Sequence, residues 1–266
     1  VKSEGRSTGT EAWLHGLIHR GNPGDLDFYV RVCRGARDVL ELGCGQGRIL
    51  LGLALAGYPV TGLESDDGLL AAAEERRRTL PDPWHGRVRL IRGDMRDFDL
   101  GRAYDRVVIP YGGLFYLLDD DEVGRCLACV RRHLAPGGSL VLDGYLPDFH
   151  ADREPLAPGV IVTPPTHLTT VQDGSRTVEV LEAGRWVTDL QRVDATYVFH
   201  VHENGSTRTV RQSVRQRYLF PDQIASLLQG ARLEVTGQWG DFRGGHLAAG
   251  SRHVIVRARR TADGTA

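Results

Sequence analysis

Short apolar segments alternate with stretches of helical spacing over the first 150 residues, and this alternation sets the expected elements. Val39–Leu42, Pro59–Glu64, Arg87–Ile91, Asp105–Ile109 and Ser139–Gly144 read as buried strands. Between them, Ile49–Ala56 is a helix that ends at Gly57, and Ser65-Asp66-Asp67 caps a second helix. Asp119-Asp120-Asp121 caps a third, which reaches Leu134 before Ala135-Pro136-Gly137-Gly138 breaks it. Ahead of the first strand, Glu11–His19 is helical, Gly21-Asn22-Pro23-Gly24 turns the chain, and Asp25 caps a helix to Arg34. Strands that alternate with helices in this way build a mostly parallel α/β sheet.

From Pro147 the pattern changes. Pro155, Pro158, Pro164 and Pro165 mark a linker, and Thr166–Gln172, Thr177–Ala183, Leu190–Glu203 and Thr207–Arg217 read as antiparallel strands. Asp173-Gly174 and Asn204-Gly205 supply turns. In the longest strand Val193, Ala195, Tyr197, Phe199 and Val201 face one way, and Asp194, Thr196, Val198, His200 and His202 the other. The apolar stripe requires a cover, either the main sheet or a second copy, while the other face looks to substrate or solvent. Free strand edges favour pairing between subunits, so a homodimer is expected. Helix Pro221–Gln229 and strands Arg232–Trp239 and Arg252–Arg259 close the chain.

Composition narrows the chemistry. A chain of 266 residues with net charge −1 carries no field that attracts nucleic acid or an anionic membrane. No apolar run approaches the roughly 20 residues that span a bilayer, and Val1–Thr10 has no hydrophobic signal core. The expectation is a soluble cytoplasmic protein with a small-molecule substrate. Lys2 is the only lysine among 33 basic residues, which argues against a Schiff-base or P-loop lysine. Cys126-x-x-Cys129 lies in a helical pattern without a second ligand pair, so both cysteines read as core. His15/His19 and His200/His202 lack a third ligand, and no metal is expected.

The candidate chemistry centres on Val39-Leu40-Glu41-Leu42-Gly43-Cys44-Gly45-Gln46-Gly47, a strand, a glycine turn and the start of a helix. Glycines at alternate positions let the backbone turn sharply and approach a ligand, and the helix N-terminus suits an anionic group. A dinucleotide fingerprint needs a third glycine where Arg48 stands. Glu64 ends the second strand about twenty residues on, where a carboxylate accepts both ribose hydroxyls. Pro110-Tyr111-Gly112-Gly113-Leu114-Phe115-Tyr116-Leu117 follows the fourth strand, at the carboxyl end where such sheets bind ligands.

The E-x-G-x-G-x-G spacing, Glu64 and Gly93-Asp94-Met95 resemble motifs of the class I S-adenosylmethionine-dependent methyltransferases. Gly24-Asp25-Leu26-Asp27-Phe28-Tyr29, Ala135-Pro136-Gly137-Gly138 and the closing hairpin resemble further features of that family. The resemblance implies a seven-stranded Rossmann-like sheet with an N-terminal helical lid and an antiparallel β insertion after strand five. Its parts are a lid at 1–34, a cofactor-binding core at 35–150, an insertion for substrate and dimer contact at 151–217, and a closing helix and hairpin at 218–266.

The implied cofactor is S-adenosylmethionine. It is held by Tyr29, Glu41, Gly43, Cys44, Gly45, Gly47, Glu64, Ser65, Leu69, Asp94, Met95 and Ile109. Asp94 takes the adenine amino group by resemblance, Met95 and Leu69 lie by the ring, and the small Cys44 side chain fits beside the ligand. Tyr29 either reaches the methionine end or packs in the core. Trp13, Tyr111, Phe115, Tyr116 and Tyr145 are the substrate candidates. Tyr111, His19 and Tyr145, with His15 and the His200/His202 pair, are the candidate bases. The implied reaction is methyl transfer to a nitrogen or oxygen of a small molecule, as in natural-product N- and O-methyltransferases. The alternatives are a methyltransferase fold used as a cyclase or cofactor-binding subunit, and a Rossmann oxidoreductase.

Overall fold

A computed structural model describes residues 9–147 and 159–261. The chain divides into two compact units, one of Val1–Arg153 with Leu219–Ala266, the other of Glu154–Tyr218.

The first unit is an α/β sheet. Its strands are β1 (Val39–Leu42), β2 (Val60–Glu64), β3 (Val88–Arg92), β4 (Tyr104–Ile109), β5 (Leu134–Tyr145), β10 (Leu233–Trp239) and β11 (His253–Arg260), in the order β10-β11-β5-β4-β1-β2-β3. β1 to β5 are parallel, and β11 runs antiparallel to both its neighbours. Every residue of β1 and β2 is buried, as parallel strands covered on both faces require. The helices are α1 (Gly9–Ile18), α2 (Asp25–Val32), α3 (Arg48–Leu55), α4 (Asp67–Arg78), α5 (Asp120–His133) and α6 (Pro221–Gly230). Asp66 caps α4 by accepting from the Leu69 N–H at 2.9 Å, and Asp119 caps α5 by accepting from Glu122 at 2.8 Å. Cys126 and Cys129 lie on the buried face of α5. β1 sits between β2 and β4, so the strand order reverses there and the crevice at the carboxyl ends of β1 and β4 is the expected ligand position.

Two local readings change. Gly24, in the left-handed conformation, is the cap residue of α2, and Asp25 is its first helical residue. The Asp25 carboxylate turns back to the Asn22 N–H at 2.8 Å and forward to Arg48, so pairing displaces capping. The Ala135–Gly138 stretch is not a break before the fifth strand but part of β5, absorbed by a register shift opposite Tyr104 and Arg106.

The second unit is a four-stranded antiparallel sheet of β6 (Val160–Asp173), β7 (Arg176–Val187), β8 (Arg192–Glu203) and β9 (Ser206–Arg217), in chain order. Pro164 and Pro165, read as linker, lie inside β6. They are tolerated because β6 is an edge strand and its register shifts between Thr163 and Thr166. Leu190 belongs to a short 3₁₀ turn instead of β8. Val193, Phe199 and Val201 are buried together with Val178 and Val180 of β7. On the opposite face His200 bonds Thr209 at 3.0 Å and His202 bonds Thr207 at 2.8 Å, a cross-strand polar ladder. The expected Pro155 and Pro158 linker positions lie outside the described residues.

Candidate active site

The turn after β1 depends on three glycines with left-handed backbones, Gly43 at φ 66°, Gly45 at 54° and Gly47 at 79°. A side chain at any of them is strained. They differ in surroundings. A Cβ on Gly47 would meet Leu51 at 3.2 Å and one on Gly43 would meet Met95 Cε at 3.1 Å, whereas one on Gly45 meets nothing within 4 Å among the described residues. The loop therefore presents a bare backbone surface at Gly45. Its amides are used internally: Gly43 and Cys44 donate to the Leu63 carbonyl, Gly47 to the Cys44 carbonyl, and Gly45 to Glu64. Open space, not a fan of free N–H groups, is what these four positions contribute. The Cys44 side chain is buried, and its Sγ sits 2.7 Å from where a Cβ on Gly62 would be, so it packs on β2 and only its backbone lines the loop.

Glu64 ends β2 and ties the loop down. Its Oε2 accepts from Gly45 at 2.8 Å and its Oε1 from Ser65 at 2.8 Å and Asp66 at 2.9 Å. These bonds take three of the carboxylate's roughly four acceptor positions and leave about one on Oε2. Burial raises its pKa, against the pull of the three amides. Glu41, two residues before Gly43, is buried, and its Oε2 has no hydrogen-bond partner among the described residues. Desolvation pushes its pKa well up.

Around this loop the structure brings together groups from distant elements. Gln46 donates to the Ala12 carbonyl of α1, and its Oε1 lies 2.6 Å from where a Cβ on Gly16 would sit, so Gly16 lets the helix settle on the loop. His15 on α1 and His19, just past its end, stack with centroids 3.9 Å apart, and His19 meets the Tyr111 ring edge-on at 5.8 Å. Burial lowers His15 to about 4 and His19 to about 3, so both imidazoles are neutral at physiological pH. Trp13 on the same helix is half-buried.

Tyr111 has φ 56°, an uncommon conformation for a bulky residue. Its N–H donates to Asp143 Oδ1 at 2.9 Å, and the next amide, Gly112, donates to the Asp143 carbonyl at 3.2 Å. The same Oδ1 accepts the hydroxyl of Tyr29, which is fully buried on α2. Tyr29 is thus both a core residue and hydrogen-bonded beneath this end of the site. Burial raises Asp143 to about 6. Arg48, the first residue of α3, forms a bidentate pair with Asp25 at 2.8 and 2.7 Å and lies 5.5 Å from the centre of the Tyr111 ring.

The remaining candidates divide. Ile109 is fully buried at the end of β4. Phe115 is also fully buried, its ring against Gly144 and 5.3 Å from Tyr145. Tyr145 is half-buried, Tyr116 is exposed, Ser65 follows Glu64 ahead of α4, and Leu69 lies in the first turn of that helix. Asp94 is held by its own loop. It accepts from the Arg96 N–H at 2.8 Å and from Arg96 Nε at 2.9 and 3.0 Å, and Arg96 also pairs with Glu122. His200 and His202 belong to the second unit. Sequence reasoning misses Asp143, the Asp25–Arg48 pair and the Gln46–Gly16 contact. One signal for Asp143 is available, a lone acid in the apolar run Leu140-Val141-Leu142-Asp143.

The methyltransferase domain family matches residues 39–138. The chain is 35% identical over 118 residues to dTDP-3-amino-3,4,6-trideoxy-alpha-D-glucopyranose N,N-dimethyltransferase of Streptomyces venezuelae, across 44% of this chain and 46% of that enzyme. In that match the chain spans about half the relative's length. It is 31% identical over 192 residues to dTDP-3-amino-3,6-dideoxy-alpha-D-glucopyranose N,N-dimethyltransferase of Streptomyces fradiae, across 66% of this chain and 72% of that enzyme. Among solved structures it resembles CalS10 with S-adenosylmethionine bound, an amino pentose methyltransferase from Micromonospora echinaspora involved in calicheamicin biosynthesis. That likeness has TM-score 0.66 and 26% identity, and covers 96% of this chain and 98% of the other.

Proposed function

The chain belongs to the S-adenosylmethionine-dependent methyltransferases, and on that footing we propose that it methylates an amino nitrogen of a small natural-product intermediate, an amino sugar being the favoured class. The observation that carries the reading is the cradle at the carboxyl end of β1: a bare Gly45, the Glu64 carboxylate beside it, and the buried Glu41, whose Oε2 is unbonded among the described residues.

These residues fit the cofactor. Glu64 Oε2 has acceptor capacity for a ribose hydroxyl, Gly45 leaves room for close approach, and the open Oε2 of Glu41 suits the cationic methionine end, whose charge would favour the carboxylate that burial disfavours. Met95, Leu69 and Ile109 are the apolar candidates for the adenine side, and Ser65 and Asp94 the polar ones. S-adenosylmethionine supplies a methyl group on a positively charged sulfur, an electrophile that needs no further activation.

The protein's task is then to hold the acceptor in line and exclude water. Trp13, His15, His19 and Tyr111 form or border the acceptor end of this arrangement, with Tyr116 and Tyr145 at its margin. Nitrogen is favoured over oxygen because imidazoles lowered to about 4 and 3 are weak bases. They are poorly matched to taking a proton from a hydroxyl, and a neutral amine needs no base before it attacks. The amino-sugar class rests on the two N,N-dimethyltransferase relatives and on CalS10.

Residues 151–217 are assigned to pairing with a second copy. The support is the edge strand β6, where Val160, Ile161 and Val162 are 50%, 42% and 68% exposed. Size-exclusion chromatography with light scattering tests the dimer, and a strict monomer at micromolar concentration overturns it. The reaction is tested with methyl-labelled S-adenosylmethionine and matched panels of amino sugars, phenols and carboxylic acids, read by mass spectrometry. Label on amines supports the reading. Label confined to phenols or carboxylates overturns the nitrogen assignment, and S-adenosylmethionine turnover without any labelled acceptor overturns methyl transfer.

A further inference from the structure

Asp143 lies on β5, outside the sequence motifs that mark the cofactor cradle, yet it is 2% exposed and one of its oxygens accepts two bonds. Oδ1 accepts the Tyr29 hydroxyl from α2 and the Tyr111 N–H from the turn after β4. Tyr111 and Gly112 both have left-handed backbones, at φ 56° and 67°, and the main-chain bond from Gly112 to the Asp143 carbonyl at 3.2 Å completes the hold. A bulky residue enters that region only where its surroundings over-determine it. The turn also adjoins the glycine loop. A Cβ on Gly113 would lie 3.8 Å from the Leu42 carbonyl oxygen, and Arg48, which follows Gly47, lies over the Tyr111 ring while pairing with Asp25 on α2. The α2 helix and the β4 turn are therefore joined twice, beneath by Asp143 and at the rim by Arg48.

We propose that Asp143 is a positioning residue for the cofactor cradle. Through one carboxylate oxygen it holds α2 and the strained turn after β4 beside the glycine loop, and so governs cofactor affinity without touching the cofactor. The proposal rests on the methyltransferase reading. Asn carries an equivalent Oδ1, so Asp143→Asn keeps both acceptor bonds, whereas Asp143→Ala removes both. Tyr29→Phe removes only the tie to α2.

The test is calorimetric titration with S-adenosylhomocysteine, together with hydrogen exchange at the Tyr111 amide. The expected result is a loss of at least tenfold in affinity for Asp143→Ala, recovery to within about threefold of wild type for Asp143→Asn, and an intermediate loss for Tyr29→Phe. The Tyr111 amide should be protected in wild type and Asp143→Asn and exchange quickly in Asp143→Ala. A folded Asp143→Ala protein with wild-type affinity overturns the proposal, as does an Asp143→Asn variant as weak as Ala. If Asp143→Ala does not fold, Tyr29→Phe decides: unchanged affinity with unchanged α2 exchange overturns it. Failure of the wild type to bind S-adenosylhomocysteine counts against the methyltransferase reading instead, and the Tyr111 exchange pattern still judges the hold made by Asp143.

Discussion

Gly45 and Gly101 form a matched pair that separates a glycine kept for a ligand from one kept for the backbone. Both are left-handed, at φ 54° and 64°, and a Cβ on either meets nothing within 4 Å. Gly101 lies in the turn before β4, at the opposite end of that strand from Tyr111. Substitution by Ala should cost each protein about 1–2 kcal/mol, the penalty of an L-residue in the left-handed region, with no steric addition. At about 2–4 °C per kcal/mol for a domain of this size, both melting temperatures should fall by roughly 2–8 °C. Their affinities should diverge. If the open side of Gly45 is where the cofactor backbone lies, a methyl group there displaces it. Gly45→Ala should then lose at least about a hundredfold, or roughly 2.7 kcal/mol, in S-adenosylhomocysteine binding by titration calorimetry, while Gly101→Ala stays within about threefold. Equal affinities, with equal losses of melting temperature, refute the assignment of the bare loop surface to the cofactor.

Two further outcomes follow from the charged groups. The pKa values of His15 and His19 are lowered to about 4 and 3, so below pH 6.5 the unfolded chain binds protons that the folded one refuses. Stability from this source is complete above the unfolded value and is lost as pH falls through 4 toward 3. At 1.36 kcal/mol per unit, His19 alone contributes up to about 5 kcal/mol, which local release of α1 would cap. Hydrogen exchange should show α1 opening first on acidification, and His19→Gln should flatten that limb. Uniform opening of the whole sheet would contradict it. Arg48→Met leaves the buried Asp25 carboxylate with only the Asn22 N–H among its bonds described above, and should destabilise by about 3 kcal/mol in chemical denaturation. The Asp25→Asn/Arg48→Met double variant should recover most of the loss. If the double variant is as unstable as the single, the pairing is not the cause.

The strands, the glycine turn and the caps at Asp66 and Asp119 were legible because each depends on neighbours within a few positions: an apolar run, a glycine spacing, or an acid before a helix. The seven-stranded sheet came from the family resemblance as much as from the pattern, and neither supplied its strand order. What escaped depends on contacts across long separations. Asp25 was readable as a cap because nothing local announces Arg48, 23 positions on, as the stronger partner. Asp143 and Tyr29 are 114 positions apart, and their bond follows from the packing of α2 against β5. Pro164 and Pro165 read as a linker because local propensity does not tell an edge strand from a loop. Cys44 looked ligand-facing from its place in the motif, but the missing Cβ of Gly62 on the next strand draws its sulfur inward. His15 and His19 were recognisable as a helical pair, while their neutrality comes from burial by elements the pattern does not bring together.

The most direct test of the account is titration calorimetry of the wild-type protein and Glu64→Ala with S-adenosylhomocysteine, with a nicotinamide dinucleotide as the competing ligand. The account predicts one cofactor per chain in the wild type, affinity reduced by roughly 1.5–3 kcal/mol when the charged acceptor is lost, and no heat from the dinucleotide. Saturable dinucleotide binding, or S-adenosylhomocysteine affinity unchanged in Glu64→Ala, would contradict it.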